Sequence, residues 1–458
     1  MTHATPLPAV VQAVCSALLA PLGALLANAP PALALDRHDR AIAHAVLEGA
    51  RLAAERVLAA PAAPGAPAPV AVHTALGPVK VAGGAVLAYG CSLAVREECA
   101  FFVAQGTARE ARAGLSLFRT RVPSESTVKR VAVADGAALD ALAEGQGKAL
   151  VHARLAPFAA EVDLVVASAD GAMAPMRAPP AGETPAGETA AGGRAFREAR
   201  LVTLALYGRP DPSVPRTVAV REPDGTRVAL AVGHARPHLA TLMFGQMPEA
   251  DGPTGARVRA ALGAALGAVR AACPHAAVVG MCDGGAWAEQ TVDAAVGAEH
   301  RTTDFFHACE HLRVASVAAY GEGPFGRAWY EKQRGELLLL DGGARRLGRA
   351  LRALADRPGA SASQRAALGR EAGYFEARAP QMAYAARLRR HQPVGSGVME
   401  AAVKQLVTAR IKRAGASWTY AGGQAVLALR GLRLSELWEQ AWERHAAAER
   451  ARYAADAA

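Results

Sequence analysis

Two short apolar runs, each closing on Asp-Gly, constrain this chain most: Leu164-Val-Val-Ala-Ser-Ala before Asp170-Gly171, and Ala276-Ala-Val-Val-Gly-Met-Cys before Asp283-Gly284. Runs of this length, rich in β-branched residues and bounded by turn residues, read as buried strands. The long patterns around them are helical, so the chain must build a sheet from scattered pieces covered by helices: an α/β class fold. A third acid, Glu400, follows Pro393-Val-Gly-Ser-Gly397 at the head of a helical pattern. Asp170, Asp283 and Glu400 lie 113 and 117 residues apart, so only tertiary folding could bring them together. Taken singly, each has a plain structural reading. Asp-Gly is an ordinary turn after a strand, and an acid near a helix N-terminus suits the helix dipole.

Further strands are expected at Leu201–Tyr207, Thr226–Val232 and Thr302–His307, with an alanine-rich helix over 254–271. Residues 308–390 contain no strand pattern and read as helices broken near Gly321–Gly326, Asp341-Gly-Gly and Arg357-Pro-Gly. The domain division is therefore a helical region over 1–59, a Pro/Ala linker over 60–69, and a helical DNA-binding region over 70–155. A core follows from 156–307 and 391–446, interrupted by a helical insertion at 308–390, with a tail at 447–458. Short β-like runs are expected between Val70 and Ala88. The low-complexity stretch Ala178–Gly193, with its near-repeat of Ala-Gly-Glu-Thr, reads as an expendable loop.

Within the helical region, Leu115–Ala132 gives a helix, a turn at Val122-Pro123, a Ser124 cap and a second helix carrying Thr127, Lys129 and Arg130. This is the spacing of a helix-turn-helix and equally of two packed helices in a small bundle. Net charge is +10 in 458 residues, which favours a polyanionic partner. Basic residues crowd the third acid: Arg387, Arg389 and Arg390 before it, Lys404, Arg410, Lys412 and Arg413 after it. The six cysteines form no C-x-x-C pair, so reduced, buried thiols are expected and a cysteine zinc site is not. The apolar N-terminus has no Lys or Arg before Arg37, which argues against a signal peptide; a cytoplasmic, nucleoid-associated protein without a membrane anchor is expected.

The order strand–Asp, strand–Asp, helix–Glu is the layout of an RNase H-like nuclease core. Three carboxylates suit a pair of divalent ions roughly 3.5–4 Å apart, which activate an oxygen nucleophile and relieve charge on the leaving oxygen. The stretch HQPVGSGVMEAAVKQLVTARIKRAGASWTYAGGQAVLALRGL then resembles the C-terminal signature of bacterial insertion-sequence transposases of the ISKra group. These are DDE enzymes related to the Mutator-like transposases. Gly395-Ser396-Gly397, Glu400, the basic run Arg410–Arg413, Gly415, Trp418 and Gly422-Gly423-Gln424 carry the match. ADGAMAPMR with FREARLVTL, which contains Glu198, is similar to the family's first-Asp strand and the strand after it. CDGGAWAEQTV with TTDFFHACEHL is similar to its second-Asp segment and a following D-x-x-H motif, here Asp304 and His307.

The resemblance covers roughly residues 115–440. It implies an RNase H-like mixed-sheet core with an all-helical insertion, and Asp170, Asp283 and Glu400 as ligands of two Mg²⁺ or Mn²⁺ ions. It also implies that Asp304 and His307 assist near the site. Asp304 competes for the second position because it too follows a strand-like segment; the Asp-Gly-x-x-Trp context favours Asp283. His307 has a packing reading beside Phe305 and Phe306, both read as core. Thr127, Lys129, Arg130, Arg387, Lys404, Arg410, Lys412, Arg413 and Trp418 are the candidate DNA contacts. The partners implied are transposon ends and target, both double-stranded DNA, and a second copy of the chain in a dimer or larger assembly. The rival is an inactive, repurposed transposase-derived DNA-binding protein. Family members often carry N-terminal C-x-x-C pairs; here AYGCSLAVREECAFF keeps only Cys91 and Cys99.

Overall fold

The computed structural model describes residues 70–74, 77–81, 91, 93–117, 122–177, 194–221, 226–248 and 255–456. The expected helices over 8–60, the 60–69 linker, Cys15, the 178–193 loop and part of the turn between Leu115 and Ser124 lie outside the described residues. The chain divides into two compact units.

The first unit comprises 1–143, 421–433 and 438–458. Strands β1 (Val70–Thr74) and β2 (Gly77–Val81) pair antiparallel. Helices α1 (Leu93–Gln105) and α2 (Ala108–Leu115) follow, and then α3 (Glu125–Leu155), whose early turns belong here. Thr107 and Glu110 form a reciprocal capping box at the start of α2, satisfying two backbone donors that a helix start leaves open. The expected Ser124 cap is present: its hydroxyl accepts the Thr127 N–H at 3.2 Å. Gly136 of α3 lets a helix pack closely, since a Cβ there would stand 2.8 Å from the Ala425 carbonyl oxygen. That neighbour belongs to the later helix Tyr420–Leu434. It and Trp438–Asp456 were expected in the core up to residue 446, but almost all of both packs within the first unit.

The second unit, 144–420 with 434–437, is built on a mixed five-stranded sheet. Strands β3 (Leu164–Arg177) and β4 (Arg194–Tyr207) form a long antiparallel hairpin. After a separate ribbon of β5 (Asp211–Arg221) and β6 (Arg227–Ala235), β7 (His238–Gln246) adds antiparallel to β4. Helix α4 (Ala256–Ala272) leads to β8 (Ala277–Cys282), which pairs parallel with β3. Helix α5 (Ala286–Val296) then leads to β9 (Arg301–Thr303), parallel to β8. The order is β7-β4-β3-β8-β9.

Side chains alternate between faces along a strand. Leu164, Val166, Val279 and Met281 line one face, with Ala205, and Val398 packs against them. On the other face Gly280 admits α5 closely; a Cβ there would lie 2.3 Å from the Val292 side chain.

The insertion is helical, as expected: α6 (Phe305–Tyr320), α7 (Pro324–Leu339), α8 (Gly343–Ala355), α9 (Ala362–Ala377) and α10 (Tyr384–Arg389). They share a core that includes Phe305, Leu312, Leu347, Leu368, Phe375 and Tyr384. The breaks fall at Gly321, Gly342 and Gly359, each with positive φ, a region open to glycine at little cost. The chain then returns through α11 (Gly397–Val403) and a π-helical turn, Lys404–Thr408.

Two expectations are corrected. The strand expected at Thr302–His307 stops at Thr303, because Asp304 caps α6 by accepting the His307 N–H at 2.7 Å. Phe306, expected in the core, is 57% exposed. The five cysteines among the described residues are free and buried.

Candidate metal and nucleic-acid site

Asp170 was expected to end its strand. Only the parallel pairing stops near it, two residues earlier at Ser168. Against β4 the strand continues, with Asp170 opposite Leu201 and Gly171 opposite Arg200. The parallel register with β8 runs from Leu164↔Ala277 to Ser168↔Met281. Continued by two residues, one past the end of β8 at Cys282, that register would bring Asp170 level with Asp283, and alternation would give both the same face. Helix α11 covers this face: Val398 packs on the Leu164/Met281 cluster, and the Thr203 hydroxyl lies 3.6 Å from Met399 Sδ. Glu400 is the next residue.

Local backbone fixes both aspartates. The Gly171 N–H donates to Asp170 Oδ1 at 2.6 Å, and the Gly285 N–H donates to Asp283 Oδ1 at 2.9 Å. The turn at Gly284 has φ of 105°, a conformation that a residue with a Cβ takes only with strain. Arg378, just past α9, closes over this turn, donating to the Gly284 carbonyl at 3.3 Å and pairing with Glu289 at 3.3 Å. Buried Arg301 holds Glu289 and Asp293 of α5, each at 2.7 Å.

The Asp170 carboxyl is raised from 3.8 to about 6. Burial is the largest cause; the charges of Asp283, Glu198 and Glu400 add to it, while the Gly171 N–H works against it. The three sequence-expected acids therefore share one electrostatic neighbourhood, together with a fourth, Glu198. The Glu198 carboxylate occupies the place a Cβ on Gly171 would take, and it pairs with Arg200 at 2.7 Å. Arg200 in turn lies over the Trp287 ring, its guanidinium carbon 4.7 Å from the centroid. The sequence singled out Glu198 only as part of the FREARLVTL segment of the resemblance, without a role beside the acids.

Hard oxygen donors whose charges repel one another fit a hard divalent cation, which would relieve that repulsion. Among the described residues no three His, Cys, Asp or Glu side chains are grouped so as to hold an ion as they stand. Asp170, Asp283 and Glu400 suit such an ion by their chemistry; Glu198, opposite Met173 in the register, stands on the other face of the sheet from Asp170.

The competitor Asp304 has a different task. It is buried, and besides capping α6 its Oδ2 accepts the Ser396 N–H. It thereby ties the start of the insertion to the glycine-rich loop before Glu400. Gly395 is needed in that loop, because a Cβ would lie 2.6 Å from the Phe306 ring. His307 pairs with Glu310 at 3.2 Å and meets the His311 ring edge-on at 5.0 Å.

The candidate DNA contacts divide. Lys129, Arg130, Lys404, Lys412 and Arg413 are exposed; Lys404 lies 3.7 Å from Glu400. Thr127 is half-buried and bonded to Ser124. Arg387 is corrected: it is buried and donates to the carbonyls of His300 and Arg301 and to Gln392, so its guanidinium is not available to a phosphate. Arg410 is corrected likewise, being buried with its guanidinium carbon 4.8 Å from the Trp418 ring centroid. Trp418 itself is a clasp on β3. Its N–H donates to the Pro175 carbonyl at 3.0 Å, its carbonyl accepts the Arg177 N–H at 2.8 Å, and its indole donates to the Ile411 carbonyl at 2.9 Å. No protein-family model matches the chain, and no curated protein matches it. No described helix is long and apolar enough to cross a membrane.

Proposed function

We propose that the chain is a DDE transposase of the ISKra type, with an RNase H-like core that cleaves phosphodiesters at transposon ends and transfers the freed 3′-hydroxyl into target DNA. The observation that carries this reading is the in-register parallel pairing of β3 and β8. Continued two residues, that register would bring Asp170 beside Asp283 on the face that α11 covers with Val398 and Met399, next to Glu400, and the charges of Asp283 and Glu400 both act on Asp170. The mixed sheet with its parallel pairs is compatible with that core. Asp170, Asp283 and Glu400 would hold two Mg²⁺ or Mn²⁺ ions, which supply an activated oxygen nucleophile and charge relief at the leaving oxygen. The chain's own part is orientation. The Gly171 and Gly285 N–H groups each hold one carboxylate oxygen, leaving the other free, and Asp304 anchors the loop that presents Glu400. Exposed Lys404, Lys412 and Arg413 favour a phosphate backbone near Glu400.

The test is a cleavage assay with Mg²⁺ on duplexes carrying the element's ends, scoring nicking and strand transfer separately. Cleavage and transfer by the parent chain, both lost in Asp170→Asn, Asp283→Asn and Glu400→Gln, support the reading. Metal-dependent cleavage surviving any one substitution removes that residue from the triad. Duplex binding without cleavage by the parent chain favours the repurposed DNA-binding protein.

A further inference from the structure

Helix α8 separates its residues sharply. Ala344, Leu347, Leu351 and Ala355 are buried in the core of the insertion, while Arg345, Arg346, Arg349 and Arg352 are exposed. Arg352 is engaged by Glu376 of α9 at 2.8 Å. The side chains of Arg345, Arg346 and Arg349 have no hydrogen bond or ion pair among the described residues. Their placement works against the helix. No acid occupies the first turn, and Arg345 and Arg346 stand at the positive end of the helix dipole. Arg345 and Arg349 are like charges four residues apart, a spacing that also destabilises a helix. The nearest acid before the helix, Asp341, is paired with Arg389 at 2.8 Å. Three cations thus stand in a stripe where the described residues supply no counter-charge.

We infer that Arg345, Arg346 and Arg349 form a phosphate-binding face through which the helical insertion grips duplex DNA. A membrane surface fits poorly, because the apolar side of α8 is spent on the internal core and leaves nothing to insert between lipids. The face is coupled to the acids through the fold. Helix α9, which carries the Glu376 partner of Arg352, runs on to Arg378, whose guanidinium holds the turn after Asp283. The choice of DNA as the polyanion rests on the function proposed above; the charge stripe does not.

The test measures binding of the full chain to a long, mixed-sequence fluorescent duplex by anisotropy across a salt series. The variants are R345Q/R346Q/R349Q and R345K/R346K/R349K. Each phosphate neutralised adds about 0.9 to the slope of log affinity against log salt. The glutamine triple should therefore flatten the slope by about 2–3 and weaken binding at least tenfold at low salt. The lysine triple should keep most of both. Melting of the glutamine triple should equal or slightly exceed that of the parent, showing that the fold is intact. An unchanged salt slope overturns the inference, as does equal loss in both triples. Loss of binding to phosphatidylserine vesicles with DNA binding intact would also overturn it, in favour of a membrane. A parent chain that grips DNA through these arginines yet never cleaves it removes the transposase reading and keeps this one. Cleavage with an arginine-independent slope does the reverse.

Discussion

Two acid-bearing clusters show opposite uses of buried charge. In the first unit Asp135 is 1% exposed and held between Arg96 and His445. Arg96 donates to both of its oxygens, and His445 lies 3.0 Å from one. Arg96 also reaches Glu449 at 2.6 Å. Burial alone would push the Asp135 carboxyl up; the hydrogen bonds and charges of His445 and Arg96 hold it below its ordinary value. In the second unit Asp170 is less buried yet raised to about 6, because burial is compounded by Asp283, Glu198 and Glu400. The first cluster completes its own electrostatics and ties α1, α3 and the C-terminal helix together. In the second the fold leaves like charges facing one another, which is the condition the proposed metal site requires.

If that contrast is right, the largest effect comes from acids removed at the incomplete cluster. Glu400→Gln should lower cleavage by on the order of 10³-fold, as expected when several kcal/mol of metal-derived stabilisation is lost. DNA binding measured by anisotropy should be unchanged. Next comes the completed cluster: Arg96→Met should cost about 3–5 kcal/mol in denaturant unfolding, because it strips a buried carboxylate of its main partner. A loss under about 1 kcal/mol, the range of surface pairs, would erase the distinction.

Smaller, and opposite in sign, is Asp170→Asn. A carboxyl whose folded-state pKa is raised binds its proton more tightly in the folded chain, so its stabilising contribution is full below pH 3.8 and is lost as pH rises through about 6. The asparagine variant should therefore be more stable than the parent at pH 8, by on the order of 1–3 kcal/mol, with the difference vanishing near pH 3.5. Thermal melts at the two pH values read this directly; a destabilised variant at pH 8 would contradict it. The smallest effect expected is from metal. At ten times its dissociation constant, Mg²⁺ should stabilise the parent at pH 7.5 by about 1.4 kcal/mol and Asp170→Asn by much less. Equal stabilisation of both would place the ion elsewhere.

The sequence made some of this legible and hid the rest for identifiable reasons. Strand β8 and Asp283 were readable because a compact apolar run meets Asp-Gly, and the insertion because glycines interrupt its helices. The far half of β3 was not, since Gly171–Arg177 is held by cross-strand bonds to Arg194–Arg200, a non-local partnership. Strand β7 was missed for the same reason: its place depends on β4. Asp304 was read as a rival ligand because an acid after a strand and an acid before a helix look alike in sequence. The structure separates them by showing both its oxygens accepting main-chain N–H groups. Arg387 and Arg410 were counted as surface cations because arginine usually is one. Carbonyls ending near residue 300, and a tryptophan eight residues on, decide otherwise.

The insertion leaves and rejoins the sheet at one stitch. The Phe305 N–H donates to the Val394 carbonyl at 2.9 Å, and Asp304 accepts the Ser396 N–H. A chain that departs and returns at the same point can carry almost anything between, because the two ends are already fastened before the excursion begins. The five helices are in that sense an attachment on a socket. The attachment still keeps one hand on the acids, because Arg378, just past the fourth of its helices, holds the turn after Asp283.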